Sequence, residues 1–348
     1  MNNYFHIDNF KIGGDKTFII AELSANHNGS IENAIDTIKA AKKAGADCIK
    51  LQTYTPDTIT LDCKKSDFKI QGTIWDGQYL HDLYQKAFTP WGWHKELFRI
   101  AKEEGLVIFS SPFDFTAVDF LEGLDAPAYK IASFEITDIP LIEYVASKGK
   151  PVIISTGIAS KEDIDLAIDA CHRQKNYQIS LLKCTSSYPA PIEDANLATM
   201  VNFQNDYNVI PGLSDHTTDI VVPIAATALG AKIIEKHFIL DRKIGGPDAS
   251  FSLEPDDFEL MVNKVRLTEK SIGKNNYPLT EKMIKSKDHS RSLYAVKEIK
   301  AGDRFNHENV RSIRPGFGLH PKYYKLLMNR NAKKSYEVGD RILEIELT

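Results

Sequence analysis

Short apolar segments alternate with longer amphipathic segments through most of the chain. Eight of the apolar segments are short, and most of these lack a polar face, which is typical of strands buried on both sides. These predicted strands are Phe18–Leu23, Cys48–Gln52, Val107–Ser110, Ala128–Ile131, Val152–Ser155, Ile179–Cys184, Val209–Leu213 and Lys232–Lys236. The predicted helices between them are Ile31–Ala44, Trp93–Glu104, Ile139–Ser147, Lys161–Cys171, Ile220–Leu229 and Pro255–Ile272. Eight such strands alternating with helical segments over about 270 residues predict a TIM (β/α)8 barrel.

A doubly wound open sheet is the competing arrangement. Such a sheet usually has a glycine-rich turn after its first strand. Here the turn after Phe18–Leu23 has the sequence Ala-Asn-His-Asn-Gly-Ser over residues 25–30. The barrel is therefore the preferred prediction.

Polar residues cluster at the carboxyl ends of all eight predicted strands. Active sites of such barrels lie at this end, on the strand ends and the following loops. The polar residues there are Glu22, Ser24, Asn26, His27, Lys50, Gln52, Ser110, Ser111, Lys130, Ser133, Glu135, Ser155, Thr156, Lys183, Thr185, Ser186, Tyr188, Ser214, Asp215, His216, Glu235, Lys236 and His237. The sequence thus predicts a polar pocket at this end of the barrel.

Lysines inside apolar strands are the unusual part of this set. Lys50, Lys130 and Lys236 each stand in such a strand, where burial is costly unless the charge is paired. Any single lysine could form an ion pair that braces the barrel, or could reach water at a strand end. Several lysines converging with serine hydroxyls would instead form a cradle for an oxyanion, most simply a phosphate. Acid–base groups or counter-charges for these lysines are offered by Glu22, Glu135 and Glu235.

Two histidines end the last two predicted strands, which are neighbours in a barrel. His216 and His237 could together bind one divalent cation, with substrate or water completing the coordination shell. Structural or acid–base histidines explain the same positions equally well. Two histidines alone therefore leave both interpretations open.

Charge divides the chain unevenly. The net charge is −4, but residues 285–348 hold 14 Lys and Arg against 8 Asp and Glu, a net of +6. The preceding residues hold 29 against 39, a net of −10. With the loop-like segment from Gly273, this predicts a barrel domain over 1–278, a linker over 279–289 and a small domain over 290–348. In the small domain, Arg314 precedes a Pro/Gly-rich loop and could present its guanidinium to an oxyanion or a hydroxylated ligand.

Composition also excludes several classes of protein. A net charge of −4 argues against a protein that coats nucleic acid. No apolar segment approaches the roughly 20 residues of a membrane span, and the first residues lack a secretory signal pattern. The four cysteines have no CxxC spacing. We therefore expect a cytoplasmic protein with neither a nucleic-acid nor a membrane partner.

Ordered motifs give the chain a specific resemblance. The motifs are Ala21–His27, Ile49–Thr53, Ser110–Phe113, Lys130–Glu135, Ser155–Gly157, Cys184–Pro189, Gly212–His216, Glu235–Phe238 and Arg314–Gly316. Over nearly its full length the chain resembles the sialic acid synthase family. The resemblance implies a TIM barrel followed by a small antifreeze-like (SAF) domain. It also implies a homodimer in which the small domain reaches over the partner's active site, so that Arg314 would act in trans on the sugar.

The resemblance also implies a reaction. Family members condense phosphoenolpyruvate and water with an open-chain N-acetylated aminosugar, giving a nine-carbon 2-keto-3-deoxy acid and phosphate. They use a divalent metal, Mn2+ or Mg2+, and Mn2+ is favoured here. Residue by residue, the motifs imply metal ligands at His216 and His237 and catalytic roles for these two, Glu135 (acid–base) and Glu22. They imply phosphoenolpyruvate contacts at Lys50, Ser111, Lys130, Ser133, Ser155, Thr156, Ser186 and Ser214, and sugar contacts at Gln52, Tyr188, Asp248 and Arg314.

Several details are most similar to the branch that makes pseudaminic acid. They are Gln52–Asp57, Ile74–Asp76, Tyr84 before Thr89–Trp91, and Gly318–Pro321. The implied sugar is then 2,4-diacetamido-2,4,6-trideoxy-altrose. The segment Gly246–Asp248 resembles the neuraminate and legionaminate branches instead, so N-acetylmannosamine or the legionaminate precursor is the alternative substrate. A non-catalytic carbohydrate-binding protein is the remote alternative.

Overall fold

A closed parallel barrel preceded by a hairpin forms the first part of the chain. The computed structural model describes residues 4–274 and 276–348. The hairpin consists of β1 (Phe5–Ile7) and β2 (Phe10–Ile12), which pair antiparallel. The barrel strands are β3 (Phe18–Glu22), β4 (Cys48–Thr53), β5 (Val107–Pro112), β6 (Tyr129–Ile131), β7 (Val152–Ser155), β8 (Ile179–Cys184), β9 (Ile210–Asp215) and β10 (Ile233–His237). Each strand pairs with the next, and β10 pairs with β3 to close the barrel. The predicted TIM barrel is thus confirmed.

Helices follow the strands and surround the barrel. They are α1 (Ile31–Lys43), α2 (Pro56–Ile59), α3 (Leu80–Ala87), α4 (Trp91–Glu103), α5 (Phe115–Gly123), α6 (Ile139–Ser147), α7 (Lys161–Arg173), α8 (Ala198–Tyr207), α9 (Val221–Ala228) and α10 (Pro255–Ile272). Local signals set their ends: the Ser30 hydroxyl caps α1 by accepting from the Asn33 amide at 3.2 Å. In the described part of the chain, no helix is long and apolar enough to cross a membrane.

Two apolar cores lie on opposite sides of the strands. One packs between strands and helices, and the other fills the lower barrel, where it includes Ile20, Phe109 and Ile153 together with Phe5 and Ile7 of the hairpin. Successive side chains of a strand point to opposite faces, so the residue two positions beyond each inner apolar residue also points inward. On seven strands these next positions are Glu22, Lys50, Ser111, Lys130, Ser155, Cys184 and Glu235; on β9 the next inward position is Gly212, and Ser214 is the one after it. A polar layer therefore lies directly on a dry apolar floor.

A smaller unit follows the barrel, with the division between Gly273 and Lys274. It contains α11 (Glu281–Ser286), the antiparallel pair β11 (Ser292–Ala295) and β12 (Val310–Ile313), the short helix α12 (Tyr324–Leu327) and its own apolar core around Phe305. The segment predicted as a linker, 279–289, holds α11 and a 3-10 turn. The domain boundaries 1–278 and 290–348 stay a prediction.

Candidate active site

The polar layer contains two lysines that share two carboxylates. Lys50 Nζ lies 2.8 Å from Glu22 Oε2 and 3.7 Å from Glu235 Oε1. Lys130 Nζ lies 3.8 Å from the same Glu235 oxygen. All four residues are buried. Buried charges are tolerated only when they are paired, so this mutual pairing is what allows the lysines to stand inside the barrel.

Burial and pairing shift the pKa values in this layer in opposite directions. Burial raises the pKa of Glu22, and nearby Glu235 adds to the rise while Lys50 opposes it. At Glu235, burial is outweighed by Lys130 and Lys50, which lower its pKa. Burial lowers the pKa of Lys130. A bound anion would stabilise the charged form of Lys130 and so relieve part of this penalty.

Serine hydroxyls surround the two lysines. Lys130 Nζ donates to Ser155 Oγ at 2.6 Å, and Lys50 Nζ donates to Ser111 Oγ at 3.3 Å. Ser214 Oγ donates to Glu235 Oε1 at 3.1 Å. Lysines and hydroxyls together supply the donors that recognise a phosphate or carboxylate. The arrangement fits the oxyanion cradle expected from the sequence.

Gly157 leaves space for two further hydroxyls. Its amide donates to Ser133 Oγ at 2.6 Å. Ser186 Oγ is buried and has no hydrogen-bond partner within the described residues. A Cβ at Gly157 would collide with both hydroxyls. By contrast, the Thr156 hydroxyl, also expected in the cradle, donates to the Leu182 carbonyl at 3.1 Å and is therefore already engaged.

Glu135 lies beside this cradle on the 3-10 turn Ser133–Thr137 after β6. Its Oε2 is buried without a hydrogen-bond partner among the described residues. Burial raises the pKa of Glu135 to about 7, although Lys130 opposes the rise. A carboxyl group with this pKa can both take up and release a proton near neutral pH. Glu135 is thus chemically suited to the acid–base role expected from the sequence.

The two predicted metal ligands lie side by side. The ring centroids of His216 and His237 are 5.4 Å apart. His216 Nδ1 lies 2.9 Å from the Thr185 carbonyl oxygen, and since a carbonyl only accepts, Nδ1 carries the proton and Nε2 is left as an acceptor or ligand. His237 Nδ1 is buried without a hydrogen-bond partner in the described chain, and an Asp248 carboxylate oxygen lies 3.9 Å away. Burial lowers the pKa of His237, and its ring is therefore neutral. These donors fit a divalent metal.

A second group of possible metal ligands lies on the surface. Asp62, His81 and Asp82 form the one such group of three found in the described residues. Lys64 Nζ already lies 2.7 Å from an Asp82 oxygen and 3.6 Å from an Asp62 oxygen. Because a lysine already neutralises it, this exposed group is a weaker candidate than the histidine pair.

A cavity of about 330 Å³, here called the aromatic cavity because seven Phe, Trp and Tyr side chains line it among other mainly apolar residues, opens next to the histidines. The long segment between β4 and α4 supplies much of its wall, including Tyr54, Trp75 and Tyr84. Trp75 Nε1 donates to the Pro247 carbonyl at 3.1 Å, and this bond ties the segment to the loop after β10. The predicted sugar contacts Gln52, Tyr188 and Asp248 also line the cavity, as do Ser133, Glu135 and His237.

Not every strand-end lysine joins the site. Lys236 alternates with inward-facing Glu235 and His237, and its ammonium is paired with Asp215 and with the Thr217 carbonyl instead. It braces the barrel, which is the alternative left open for such lysines. Lys183 donates to the Cys184 carbonyl at 2.7 Å and is likewise outside the inner layer. In the smaller unit, Arg314 is exposed, and no ion pair or side-chain hydrogen bond involves it within the described residues.

Sequence reasoning missed one inner residue, Cys184. Its Sγ lies 3.8 Å from His216 Nδ1, in the same layer as Lys130 and Ser155. The inward and outward directions of side chains alternate along β8, and Leu182 belongs to the inner core. This alternation would have predicted that Cys184, two residues later, also points inward. Glu235 was expected only as one of three glutamates, but it is the carboxylate shared by both lysines.

The fold and the site together define the class: a (β/α)8-barrel enzyme with buried lysines, serine hydroxyls and a histidine pair at its carboxyl face. The NeuB family pattern matches residues 37–277, and the SAF domain pattern matches residues 290–342. The chain therefore belongs to the NeuB family and carries a SAF domain, as the resemblance implied.

Individual relatives support the same assignment. Pseudaminic acid synthase of Campylobacter jejuni (strain 81-176) is 50% identical over 94% of this chain and 96% of its own. Pseudaminic acid synthase of Helicobacter pylori (strain 26695) is 47% identical over 91% of this chain and 93% of its own. The crystal structure of the spore coat polysaccharide biosynthesis protein SpsE from Bacillus subtilis covers 99% of both chains, with 32% identity and a TM-score of 0.68.

Proposed function

We propose that the chain is a pseudaminic acid synthase. It condenses phosphoenolpyruvate and water with 2,4-diacetamido-2,4,6-trideoxy-altrose and releases phosphate. The observation that carries the proposal is the junction of an oxyanion cradle, an acid–base carboxyl group and the mainly apolar aromatic cavity at one barrel face. The extensive identity to two pseudaminic acid synthases supports the choice of sugar.

Phosphoenolpyruvate binds in the cradle. Lys50 and Lys130 neutralise its phosphate and carboxylate, and the hydroxyls donate to its oxygens. The available hydroxyls are Ser111, Ser133, Ser155, Ser186 and Ser214. The dry floor of the barrel excludes water below the anion and strengthens these interactions.

Carbon–carbon bond formation takes place between the cradle and the aromatic cavity. A divalent metal held by His216 and His237 would polarise the aldehyde oxygen of the open-chain sugar. The C3 atom of phosphoenolpyruvate bonds to the aldehyde carbon with the electrons of its C2–C3 double bond, the aldehyde oxygen takes up a proton to become a hydroxyl group, and positive charge develops at C2. Glu135 takes a proton from the water that adds to C2, and the resulting tetrahedral intermediate expels phosphate. Mg2+ prefers oxygen ligands and is therefore less suited to two imidazoles, and the resemblance to the family favours Mn2+.

The sugar lies in the aromatic cavity. Its 6-methyl and acetamido methyl groups pack against apolar walls such as Trp75 and Tyr84, while Gln52, Tyr188 and Asp248 contact its polar groups. A sugar with a 6-hydroxyl group would bury that hydroxyl without a partner against an apolar wall, which is unfavourable. The cavity therefore favours a 6-deoxy sugar.

We further infer a homodimer in which the SAF domain covers the partner's barrel. Arg314 then contacts the sugar in trans, consistent with its exposed guanidinium. The proposed substrates are cytoplasmic metabolites, in line with the expected cytoplasmic location. Mixing an Arg314→Ala chain with an inactive barrel variant tests the trans arrangement, because one of the two sites of the mixed dimer would regain both intact elements.

A panel of three sugars tests the proposed function. Purified protein is incubated with phosphoenolpyruvate and either 2,4-diacetamido-2,4,6-trideoxy-altrose, N-acetylmannosamine or the legionaminate precursor, with and without EDTA. We expect phosphate release and a product of pseudaminic acid mass only with the first sugar, and loss of both with EDTA. Preferential turnover of another sugar would reassign the substrate, and no turnover with any sugar would refute the synthase.

A further inference from the structure

Ser24 adopts a backbone conformation that is unfavourable for serine. Its φ is 46°, in the left-handed region, which residues other than Gly, Asn and Asp rarely occupy. The other described non-glycine residues with positive φ are all exposed, and all but one are Asn or Asp; the exception is Lys175. Ser24 is 3% exposed. Glycine would fit this backbone more easily, so the serine side chain needs another explanation.

The Ser24 hydroxyl connects two residues of the aromatic cavity. Gln52 Nε2 donates to Ser24 Oγ at 3.0 Å and also to Glu22 Oε1 at 3.0 Å. Ser24 Oγ in turn donates to Asp248 Oδ2. One hydroxyl thus accepts from the Gln52 amide and donates to the Asp248 carboxylate. Without it, the Gln52 amide would lose one of its two acceptors and Asp248 its hydroxyl donor.

This relay joins elements that are far apart in the chain. Gln52 lies on β4, Ser24 follows β3, and Asp248 belongs to the loop after β10. Among the described residues, the only other hydrogen-bond donor to this Asp248 oxygen is the Ala25 amide, at the longer distance of 3.4 Å. The orientation of the Asp248 carboxylate in the cavity therefore depends mainly on the Ser24 hydroxyl.

We propose that Ser24 is a positioning residue for sugar selection, holding the Gln52 amide and the Asp248 carboxylate in the orientation that reads the polar groups of the aminosugar. The proposal rests on the proposed function, because it assumes that this cavity receives the sugar. Ser24 does not contact the phosphoenolpyruvate cradle. Loss of its hydroxyl should therefore affect recognition of the sugar and leave recognition of phosphoenolpyruvate unchanged.

Two substitutions separate the hydroxyl from the backbone. Ser24→Gly removes the hydroxyl and relieves the left-handed strain, whereas Ser24→Ala removes the hydroxyl and keeps the strain. Lys175→Gly is the matched control, because it relieves the same kind of strain at an exposed position away from the site. Steady-state kinetics of phosphate release with the holoenzyme give KM for each substrate, and thermal unfolding gives stability.

We expect both Ser24 variants to lower kcat/KM for the sugar about tenfold or more, mainly through KM, with KM for phosphoenolpyruvate unchanged. Ser24→Gly should unfold at the wild-type temperature or above, like Lys175→Gly, which should keep wild-type kinetics. An unchanged sugar KM in Ser24→Gly, or an equal rise in both KM values, would overturn the positioning role. Because wild-type turnover is measured in the same assay, failure of the proposed function would be recognised separately.

Discussion

Neutralising Glu135 should abolish turnover and at the same time stabilise the protein at alkaline pH. In Glu135→Gln the side chain keeps its size but can neither ionise nor carry the catalytic proton. Burial raises the pKa of Glu135 from an ordinary 4.5 to about 7. A group whose pKa is raised on folding stabilises the folded state below its unfolded pKa, and that contribution is lost as pH rises through the folded pKa.

The magnitude follows from the two pKa values. Each pKa unit corresponds to about 1.4 kcal/mol. At pH 8, ionisation of Glu135 in the folded protein therefore lowers the free energy of unfolding of the wild type by about 3 kcal/mol, and the glutamine variant avoids this loss. This figure already includes the attraction between the ionised carboxylate and Lys130, which opposes the rise in the pKa of Glu135. At pH 4.5 the carboxyl group is protonated in the folded state, and the two proteins should differ by well under 1 kcal/mol.

Urea unfolding of both proteins between pH 4.5 and pH 8 measures this difference, and phosphate release measures turnover. Glu259→Gln on the exposed face of α10 is the control for removing a carboxylate, and its stability should follow that of the wild type at every pH. A constant difference between Glu135→Gln and wild type across this range would refute the buried, raised-pKa carboxyl group. Substantial turnover by Glu135→Gln would refute its acid–base role.

Three further substitutions test other parts of the site. In His216→Ala we expect calorimetry to show no Mn2+ binding and turnover to fall at least 100-fold. Its unfolding in EDTA should match that of the wild type, and unaltered Mn2+ binding would place the metal elsewhere. Lys236→Met should lower the free energy of unfolding, measured in urea, by about 3–5 kcal/mol because it leaves the buried Asp215 carboxylate without its counter-charge. Adding Asp215→Leu should recover much of that loss. An unchanged free energy of unfolding in the single variant would contradict the bracing role of Lys236. Trp75→Ala should raise KM for the sugar about tenfold and leave KM for phosphoenolpyruvate unchanged, whereas equal effects on both would argue against a sugar wall.

Strand number, strand order and the position of the polar layer could be predicted from the sequence. Uninterrupted apolar segments mark barrel strands reliably because both of their faces are buried. The helices α5 and α8 were not predicted. Their apolar residues do not form one clear stripe, and Asp114 caps α5 through the Thr116 and Ala117 amides, a local contact that periodicity does not reveal. The β1–β2 hairpin was also missed, since its two three-residue strands are too short to show alternation.

The roles of individual polar residues were harder to predict because they depend on which face of a strand each residue occupies. Lys130 and Lys236 look alike in sequence, yet Lys130 points into the barrel and Lys236 is paired with Asp215 outside the inner layer. A shift of one residue reverses the direction of a side chain, so strand register decides the outcome. The bond from Trp75 to Pro247 spans 172 positions, and no local pattern encodes it.

Gly157 has a consequence for how this sequence can vary. Its φ is an ordinary one, so alanine would suit the backbone, and the glycine is needed only for the volume that its missing methyl group leaves to the Ser133 and Ser186 hydroxyls. Stabilising substitutions elsewhere could not restore the activity of Gly157→Ala, because the added methyl group displaces the two hydroxyls from the site and its effect is not a loss of folding stability. In a saturation library selected for activity, position 157 should therefore stay invariant even in a strongly stabilised background.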